Sequence, residues 1–209
     1  MYFVLPRLYA VTDARLSGLS HAEQLERLAA AGATLVQLRE KHLSPRQFYY
    51  QAEEALQVAR RYGVTLVIND RVDIALALGA GGVHLGQEDL APEAARRLLG
   101  NRAIIGRSAH SVEQALLAAR EPIDYLAIGP VFETSTKENP DPIVGLDGVR
   151  RVREAVGQLP LVAVGGIGFS NVARVLEAGA DSVAVIAAII SQPEQIESNA
   201  RKLLALAEA

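Results

Sequence analysis

The chain has 209 residues, of which 50% are hydrophobic, so it is long enough to bury one sizeable core. Its formal net charge of −3, with the charges dispersed, excludes a basic surface for nucleic acid and a polybasic membrane segment. Cysteine is absent, which excludes disulfides, thiolate metal sites and cysteine nucleophiles. The amino-terminal segment lacks the features of a signal peptide, and we therefore expect a cytoplasmic protein.

Apolar β-like runs recur roughly every 25 residues, and nearly all of them end abruptly in polar residues or glycine. The runs end at Asp13, Lys41, Asp70, Asp89, His110, Pro130, Gly166 and Ile186. Helical patterns fill the intervals, and those from His21 to Gly32 and from Ser44 to Gly63 end in a glycine that is typical of a helix C-cap. Eight strands alternating with eight helices predict an α/β protein, a single (β/α)8 or TIM barrel spanning residues 1–209. A flavodoxin-like or Rossmann sheet is disfavoured, because it has fewer strands and a G-x-G-x-x-G motif does not follow the first run.

The second run places Gln37, Arg39 and Lys41 at alternating positions, so their side chains should point to the same side as the strand leaves the barrel. Arginine binds phosphate oxygens as a fork and lysine as a point charge, which favours a phosphorylated or pyrophosphorylated substrate. The alternative is that the cations form ion pairs with Glu40 or with helix carboxylates.

The third and fourth runs end in acidic residues, Asp70 and Asp89, on neighbouring strands. Carboxylate oxygens suit Mg²⁺, which takes one or two carboxylates together with substrate phosphates and waters. The alternative for each aspartate is a helix N-cap, because both stand near the start of a helical pattern. The pairing of the two residues beside a phosphate-binding cluster favours the metal site.

The last two runs are followed by glycine and small residues, in VGGIG from Val164 to Gly168 and in VAVIAAI from Val183 to Ile189. TIM barrels often bind phosphate at this position through backbone N–H groups, although glycine also serves tight turns. Glu133 to Gly145 forms an unusually long loop after the sixth strand and is predicted to act as a lid. Of the histidines, His84 is expected in the core, and His110 either as an acid or base or as a hydrogen-bonded edge residue. Two anion sites beside a metal indicate a transferase that joins two phosphorylated molecules.

Five motifs in chain order together resemble the thiamine-phosphate synthase family: QLREK at 37–41, IND at 68–70, GVHLGQEDL at 82–90, GPVFxTxTK at 129–137 and GGI at 165–167. The resemblance implies condensation of hydroxymethylpyrimidine diphosphate with hydroxyethyl-methylthiazole phosphate to thiamine monophosphate and pyrophosphate. It also implies a dissociative course, in which pyrophosphate departs from a methylene cation that the thiazole nitrogen then attacks.

The resemblance further implies a role for each matching position. Gln37, Leu38, Arg39, Glu40, Lys41, Asn69, Ser108 and Lys137 would bind the pyrimidine diphosphate, with Arg39, Lys41, Ser108 and Lys137 as the catalytic residues. Asp70 and Asp89 would hold Mg²⁺, and Thr134, Ser135, Thr136, Gly166, Ile186 and Ala187 would bind the thiazole phosphate. The implied partners are small phosphorylated molecules, with no nucleic acid and no membrane.

Three positions depart from the family pattern: Arg107 replaces a small apolar residue, Glu133 a proline and Ala187 a serine. NxRVDIAL, IGRSxHS and VFET also resemble the sister family of thiazole tautomerases, which isomerise the thiazole in the same barrel. The complete QLREK motif with Asp70 and Asp89 favours the synthase, and Pro130 stands where the tautomerase would have its catalytic histidine. A third hypothesis is a regulatory barrel that binds the ligand without turnover.

Overall fold

The computed structural model describes residues 4–134, 136 and 141–209. Within them, parallel strands form a closed barrel in the order β1 to β8, which confirms the predicted TIM barrel and excludes an open sheet. The strands are β1 Leu8–Thr12, β2 Leu35–Leu38, β3 Thr65–Asn69, β4 Gly82–Leu85, β5 Ile104–Ala109, β6 Tyr125–Ile128, β7 Leu161–Val164 and β8 Ser182–Val185. The barrel closes where Tyr9 of β1 is level with Ala184 of β8.

Helices surround the barrel, and the predicted helical segments all form. The α-helices of the described residues are α1 Ala14–Ser17, α2 His21–Ala30, α3 Pro45–Tyr62, α4 Val72–Leu78, α5 Pro92–Leu99, α6 Val112–Ala118, α7 Gly145–Val156, α8 Val172–Glu177, α9 Ala187–Ile190 and α10 Ile196–Glu208. The short helices α1 and α9 were not among the eight predicted, and a 3-10 turn, Pro193–Gln195, precedes α10. No helix in the described part of the chain is both long and apolar enough to cross a bilayer.

Local sequence signals explain where the principal helices begin and end. Ser44 caps α3 by accepting a hydrogen bond from the backbone N–H of Gln47, while the Gln47 side chain accepts one from the backbone N–H of Ser44. Gly63 ends the same helix in the left-handed conformation, with φ of 68°. Ser20 and Glu23 form the equivalent capping box at the start of α2.

Alternate residues of the strands face two separate apolar regions, as expected from the twofold period of a strand. One region lies between barrel and helices and includes Leu8, Ala10, Val36, Leu38, Leu66, Ile68, Val83 and Leu85. The other fills the barrel interior with Tyr9, Val11, Leu35, Val67, Ile104, Tyr125, Ala127, Val162 and Ala184. This alternation decides which side chains beyond each strand can reach the carboxyl-terminal mouth of the barrel.

Candidate active site

A cavity of about 870 Å³ opens at the carboxyl-terminal end of the barrel, within the size range of small-molecule sites. Every strand or the loop that follows it contributes to its wall, from Tyr9 and Val11 on β1 to Ile186 and Ala187 after β8. Such barrels carry their chemistry at this end. The cavity is therefore the candidate active site.

Most of the residues predicted for the site line this cavity. They are Gln37, Arg39, Lys41, Asn69, Asp70, Asp89, Ser108, Thr134, Thr136, Gly166, Ile186 and Ala187. Leu38 and Glu40 do not line the cavity, because their side chains alternate with those of Gln37, Arg39 and Lys41 and point away from it. Leu38 is buried beneath the helices, and Glu40 pairs with His21. Ser135 and Lys137 lie outside the described residues, so their predicted roles stay predictions.

The two cations that follow β2, Arg39 and Lys41, are held by carboxylates that follow the neighbouring strands. The Arg39 Nη1 atom lies 2.7 Å from Oδ2 of Asp13, and its Nη2 donates to the backbone carbonyl of Thr136 at 3.2 Å. The Lys41 ammonium pairs with the carboxylate of Asp70. Both ion pairs therefore lie at the cavity, and their carboxylates, Asp13 and Asp70, follow β1 and β3. Neither partner is Glu40, the first alternative that the sequence left open, although Asp13 also caps α1.

Asp70 adopts a left-handed backbone conformation, with φ of 63°, that is uncommon for a residue other than glycine. Its N–H donates to the carbonyl of His84 at 2.8 Å, and its carboxylate accepts from the side chains of Asn69 and Lys41. Burial raises the pKa of Asp70; Lys41 opposes this rise and neighbouring Asp89 adds to it. The strained backbone thus holds a carboxylate against a second carboxylate at the mouth.

Asp89 belongs to the same acidic pair and is fixed by its own loop. Its Oδ2 accepts from the backbone N–H of Gly86 at 2.6 Å. Neither aspartate is a helix N-cap, since those positions belong to Arg71 in α4 and to Ala91 in α5. The capping alternative is therefore wrong for both residues. Among the described residues, groups of three or more metal-ligating side chains are absent, so these two carboxylates could hold Mg²⁺ only together with substrate oxygens and waters.

The opposite wall of the cavity presents backbone. Gly165 and Gly166 have φ of 100° and 64°, and a Cβ on Gly166 would collide with the Glu133 carbonyl and lie 2.7 Å from the Phe132 Cβ. The side chain of Asn171 fixes this turn, because it donates to the carbonyl of Gly166 at 3.0 Å and accepts from the N–H of Gly168 at 2.8 Å. The turn is therefore a rigid backbone surface.

We call the wall formed by Arg39, Lys41, Asn69, Asp70 and Asp89 the charged side, and that formed by residues 165–167, Ile186 and Ala187 the backbone side. Thr134 and Thr136 lie in the loop after β6, and their hydroxyl oxygens are 2.9 Å apart. Both line the cavity, whereas residues 135 and 137–140 of the predicted lid lie outside the described residues, so the lid stays a prediction. One cavity thus contains two walls that suit anions by different means.

Beneath both walls lies a hydrogen-bonded series that the sequence did not reveal. The Gln37 Nε2 donates to the Tyr9 hydroxyl at 3.1 Å, and the Tyr9 and Tyr125 hydroxyls are 3.0 Å apart. The Tyr125 hydroxyl lies 2.9 Å from Nδ1 of His84, whose Nε2 lies 2.8 Å from the Ser108 Oγ. His84, expected in the core, is buried but lines the cavity. The sequence signal that could have placed it there is its position on β4, where alternate residues face the barrel interior.

Burial dominates the electrostatics of this floor. It lowers the pKa of His84 to about 4, with Lys41 and Arg107 adding to the effect and Asp89 opposing it. Burial also raises the pKa of Tyr9 and of Tyr125 above their ordinary value. The phenols are therefore uncharged and the imidazole neutral at neutral pH.

Two other residues singled out in the sequence have defined places. Arg107 does not line the cavity: its Nε lies 3.5 Å from the Glu121 carboxylate, and its guanidinium donates to the carbonyl of Gly86. His110 does line the cavity, with Nδ1 donating to the carbonyl of Gly129 at 2.5 Å. His110 thus has the hydrogen-bonded edge position that was one of its two interpretations.

Known proteins resemble this chain along nearly its whole length. A family profile described as thiamine monophosphate synthase matches residues 8–189. Thiamine-phosphate synthase of Chloroflexus aurantiacus is 49% identical over 201 residues, which are 96% of this chain and 92% of that protein. That of Koribacter versatilis is 47% identical over 207 residues, 96% of each chain.

A solved structure agrees with these sequences. Thiamine phosphate pyrophosphorylase from Pyrococcus furiosus superposes with a TM-score of 0.86 at 36% identity, covering 97% of this chain and 95% of that one. The profile, the sequences and the structure point to the same proteins, and they do so over the strands and loops that build the cavity. This chain belongs to the thiamine monophosphate synthase family.

Proposed function

We propose that this chain is a thiamine-phosphate synthase that joins hydroxymethylpyrimidine diphosphate to hydroxyethyl-methylthiazole phosphate, giving thiamine monophosphate and pyrophosphate. The observation that carries the proposal is the pairing of a charged side and a backbone side in one cavity. Residues 1–209 act as one catalytic domain in this proposal, because the barrel closes only when β1 pairs with β8.

The charged side would bind the diphosphate of the pyrimidine substrate. Arg39 and Lys41 are held at the mouth by Asp13 and Asp70, so little side-chain freedom remains to be lost on binding. Asn69 is fixed beside them by its hydrogen bond to Asp70. These groups would neutralise the charge that accumulates on the leaving diphosphate, which is where electrostatic stabilisation accelerates a reaction. Lys137 would add a third cation.

The backbone side would bind the phosphate of the thiazole substrate. The turn at Gly165 and Gly166 brings main chain to the cavity wall, and residues 186 and 187 face the same cavity. Thr134 and Thr136 offer hydroxyl donors beside it. The two phosphorylated substrates would then meet above the buried floor, with their phosphates on opposite walls.

The bond changes balance without a protein nucleophile. The C–O bond between the pyrimidine methylene carbon and the diphosphate breaks, and its electron pair leaves with the diphosphate. The thiazole nitrogen supplies the electron pair of the new C–N bond. Because the aminopyrimidine stabilises the intervening cation, the chain has to orient both substrates and stabilise the leaving group.

Mg²⁺ is the metal that we propose for Asp70 and Asp89. Their donor set fits it, because two hard carboxylates stand beside a predicted diphosphate site and Lys41 partly compensates their charge. When bound, the ion would screen the diphosphate oxygens and lower the barrier to their departure.

Incubation of the purified chain with both substrates, in Mg²⁺ or in chelator, tests the proposal. We expect thiamine monophosphate and pyrophosphate in equal amounts, only with both substrates and only with Mg²⁺. Proton NMR of the thiazole in the same samples tests the two alternatives. Isomerisation of the thiazole without coupling would indicate a tautomerase, and binding without either reaction would indicate a regulatory barrel; both results contradict the synthase.

A further inference from the structure

The floor of the cavity is a continuous series of hydrogen bonds across the barrel interior. It runs from Gln37 on β2 through Tyr9 on β1, Tyr125 on β6 and His84 on β4 to Ser108 on β5, with donor–acceptor distances between 2.8 and 3.1 Å. We call these five residues the floor series. Its two ends, Gln37 and Ser108, line the cavity.

One direction of the hydrogen bonds gives the protons of both tyrosines and of His84 an acceptor within the floor series. The amide nitrogen of Gln37 can only donate, so the oxygen of Tyr9 accepts and its proton points to the oxygen of Tyr125. Tyr125 then donates to Nδ1 of His84. A neutral imidazole that accepts at Nδ1 carries its proton on Nε2, and this proton is donated to the Ser108 oxygen.

This direction determines what the cavity offers to a ligand. The Ser108 oxygen already accepts from His84, so its own proton is available to donate into the cavity. The reverse direction would turn the Ser108 proton toward His84 and leave only an acceptor for the ligand. A donor at this position suits an anionic ligand, whereas an acceptor would repel it.

Packing fixes the geometry of the series as well. Tyr9 is 1% exposed and Tyr125 is 0% exposed, so both hydroxyls depend on hydrogen-bond partners inside the barrel, and Tyr9 also lines the cavity. The His84 and Tyr125 rings are stacked, with centroids 5.6 Å apart and planes inclined by 19°. A Cβ on Gly106 would collide with the Tyr125 ring and lie 2.6 Å from the His84 Nδ1. The glycine therefore provides the space for this hydrogen bond.

We propose that Tyr9 and Tyr125 are positioning residues, which hold His84 as the Nε2–H tautomer and so make Ser108 a hydrogen-bond donor to the bound pyrimidine diphosphate. The identity of that ligand rests on the proposed function, whereas the tautomer does not. The tyrosines themselves act through His84 and do not transfer a proton in the reaction. Removing the Tyr125 hydroxyl frees His84 to accept from Ser108, and the donor toward the ligand is lost.

The tautomer can be measured without any assay of activity. The chain has four histidines, so nitrogen-15 labelling of histidine gives a simple spectrum, and His84→Gln identifies the signals of that ring. We expect His84 to show an unprotonated Nδ1 and a protonated Nε2 in the native protein, with a shift toward the other tautomer in Tyr125→Phe. A protonated Nδ1 in the native protein, or no change in the variant, would overturn the proposal.

A double-mutant cycle tests the consequence for the reaction. We expect Tyr125→Phe to lower kcat on the order of tenfold while the KM for the thiazole phosphate stays constant, an effect within the range of directly coupled contacts. The same substitution in a Ser108→Ala background should have almost no further effect. Equal losses in both backgrounds would mean that Tyr125 only supports the fold, and would contradict the proposal.

A matched hydroxyl deletion completes the experiment. Tyr49 lies on α3, and its hydroxyl donates to Glu53 at 3.2 Å, away from the cavity. Tyr49→Phe should leave kcat and the His84 spectrum unchanged. If the native chain makes no thiamine monophosphate at all, the NMR result still decides the tautomer, so failure of the proposed function and failure of this inference give different results.

Discussion

The two walls that we propose as anion sites differ in what they present to the cavity. On the charged side, side chains at strand ends carry the charge, and each is held by another side chain, as Lys41 is by Asp70. On the backbone side, Gly165 and Gly166 have no side chain, and the main chain itself is exposed to the cavity. The charged side therefore depends on charged side chains, and the backbone side on the absence of side chains at two glycines.

This difference indicates which substitutions each wall tolerates. Removing a few atoms from the charged side deletes a charge and leaves its partner uncompensated. The backbone side has almost no side-chain atoms to remove, but one added methyl group collides with the neighbouring loop and forces the turn to move. Substitutions on each wall test this contrast.

Asp70→Asn should have the largest effect, because it removes a carboxylate that holds Lys41 and that we propose as a Mg²⁺ ligand. We expect kcat/KM for thiamine monophosphate formation to fall on the order of 100- to 1,000-fold, as for the loss of a group that stabilises transition-state charge. Isothermal titration should also show weaker Mg²⁺ binding in the presence of pyrophosphate.

Asp73→Asn is the matched control for this prediction. Asp73 makes an exposed ion pair with Arg71 on α4, only three residues further along the chain. Its substitution should leave kcat/KM within about twofold, because exposed ion pairs contribute little. If both variants lost activity equally, the charged side would not depend on Asp70 in particular.

Gly166→Ala tests the backbone side by addition. The new Cβ would collide with the Glu133 carbonyl, so the turn has to move, and we expect kcat/KM for the thiazole phosphate to fall roughly tenfold to a hundredfold. The KM for the pyrimidine diphosphate should change much less, because that substrate is assigned to the other wall. Steady-state kinetics with each substrate varied in turn separates the two.

Gly63→Ala is the control for backbone strain alone. Gly63 has nearly the same φ as Gly166, 68° against 64°, but its added Cβ would meet nothing within 4 Å. It should lower the free energy of unfolding by about 1 kcal/mol and leave both KM values unchanged. Altered kinetics in this variant would mean that strain elsewhere in the fold also lowers activity, so the effect of Gly166→Ala would not be specific to the backbone side.

Ala187→Ser tests whether the backbone side gains from an added functional group. The resemblance places serine at this position, where alanine now faces the cavity. We expect the KM for the thiazole phosphate to fall about threefold to tenfold, because a hydroxyl can donate to the phosphate. Ala188→Ser, one residue further along α9 and not lining the cavity, should have no such effect; a rise in KM for Ala187→Ser would place the phosphate elsewhere.

The fold and the charged side could be predicted because their signals are local. Eight apolar runs and their endings specify the barrel, and the alternation of Gln37, Arg39 and Lys41 specifies which side chains face its mouth. The same alternation should have placed Leu38 and Glu40 on the other face, but the motif match carried them into the site. The alternation of side chains along a strand thus predicts which residues face the cavity better than a motif match does.

The floor could not be predicted because its contacts depend on closure of the barrel. Tyr9 and Tyr125 are 116 residues apart in sequence, and inside a strand each has the pattern of an ordinary core residue. His84 is likewise buried and was assigned to the core. The ion pair between Arg107 and Glu121 could not be predicted for a similar reason, because Glu121 lies beyond α6 and approaches Arg107 only in the folded barrel.

Glu40→Gln tests the support behind the charged side and should have the smallest effect. One Glu40 oxygen accepts from the N–H groups of His42 and Leu43 at 2.6 and 3.1 Å, and the other lies 3.6 Å from Nε2 of His21. These contacts fix the turn that follows Lys41. We expect the free energy of unfolding at pH 7, measured in urea, to fall by about 1–2 kcal/mol.

The pH dependence of this loss identifies its cause. The imidazole of His21, 3.6 Å from the carboxylate, and the hydrogen bonds from the backbone together lower the pKa of Glu40 from 4.5 to about 2. The folded state therefore binds fewer protons than the unfolded state between these values, so the stabilisation is complete above pH 4.5 and is lost as the pH falls toward 2. The difference between Glu40→Gln and the native chain should shrink over that interval. Glu26→Gln, which removes an exposed ion pair with Arg61, should show almost no difference at either pH. A loss for Glu40→Gln that stayed constant from pH 7 to pH 3 would mean that the shape of the side chain, and not its charge, supports the strand end that carries Arg39 and Lys41.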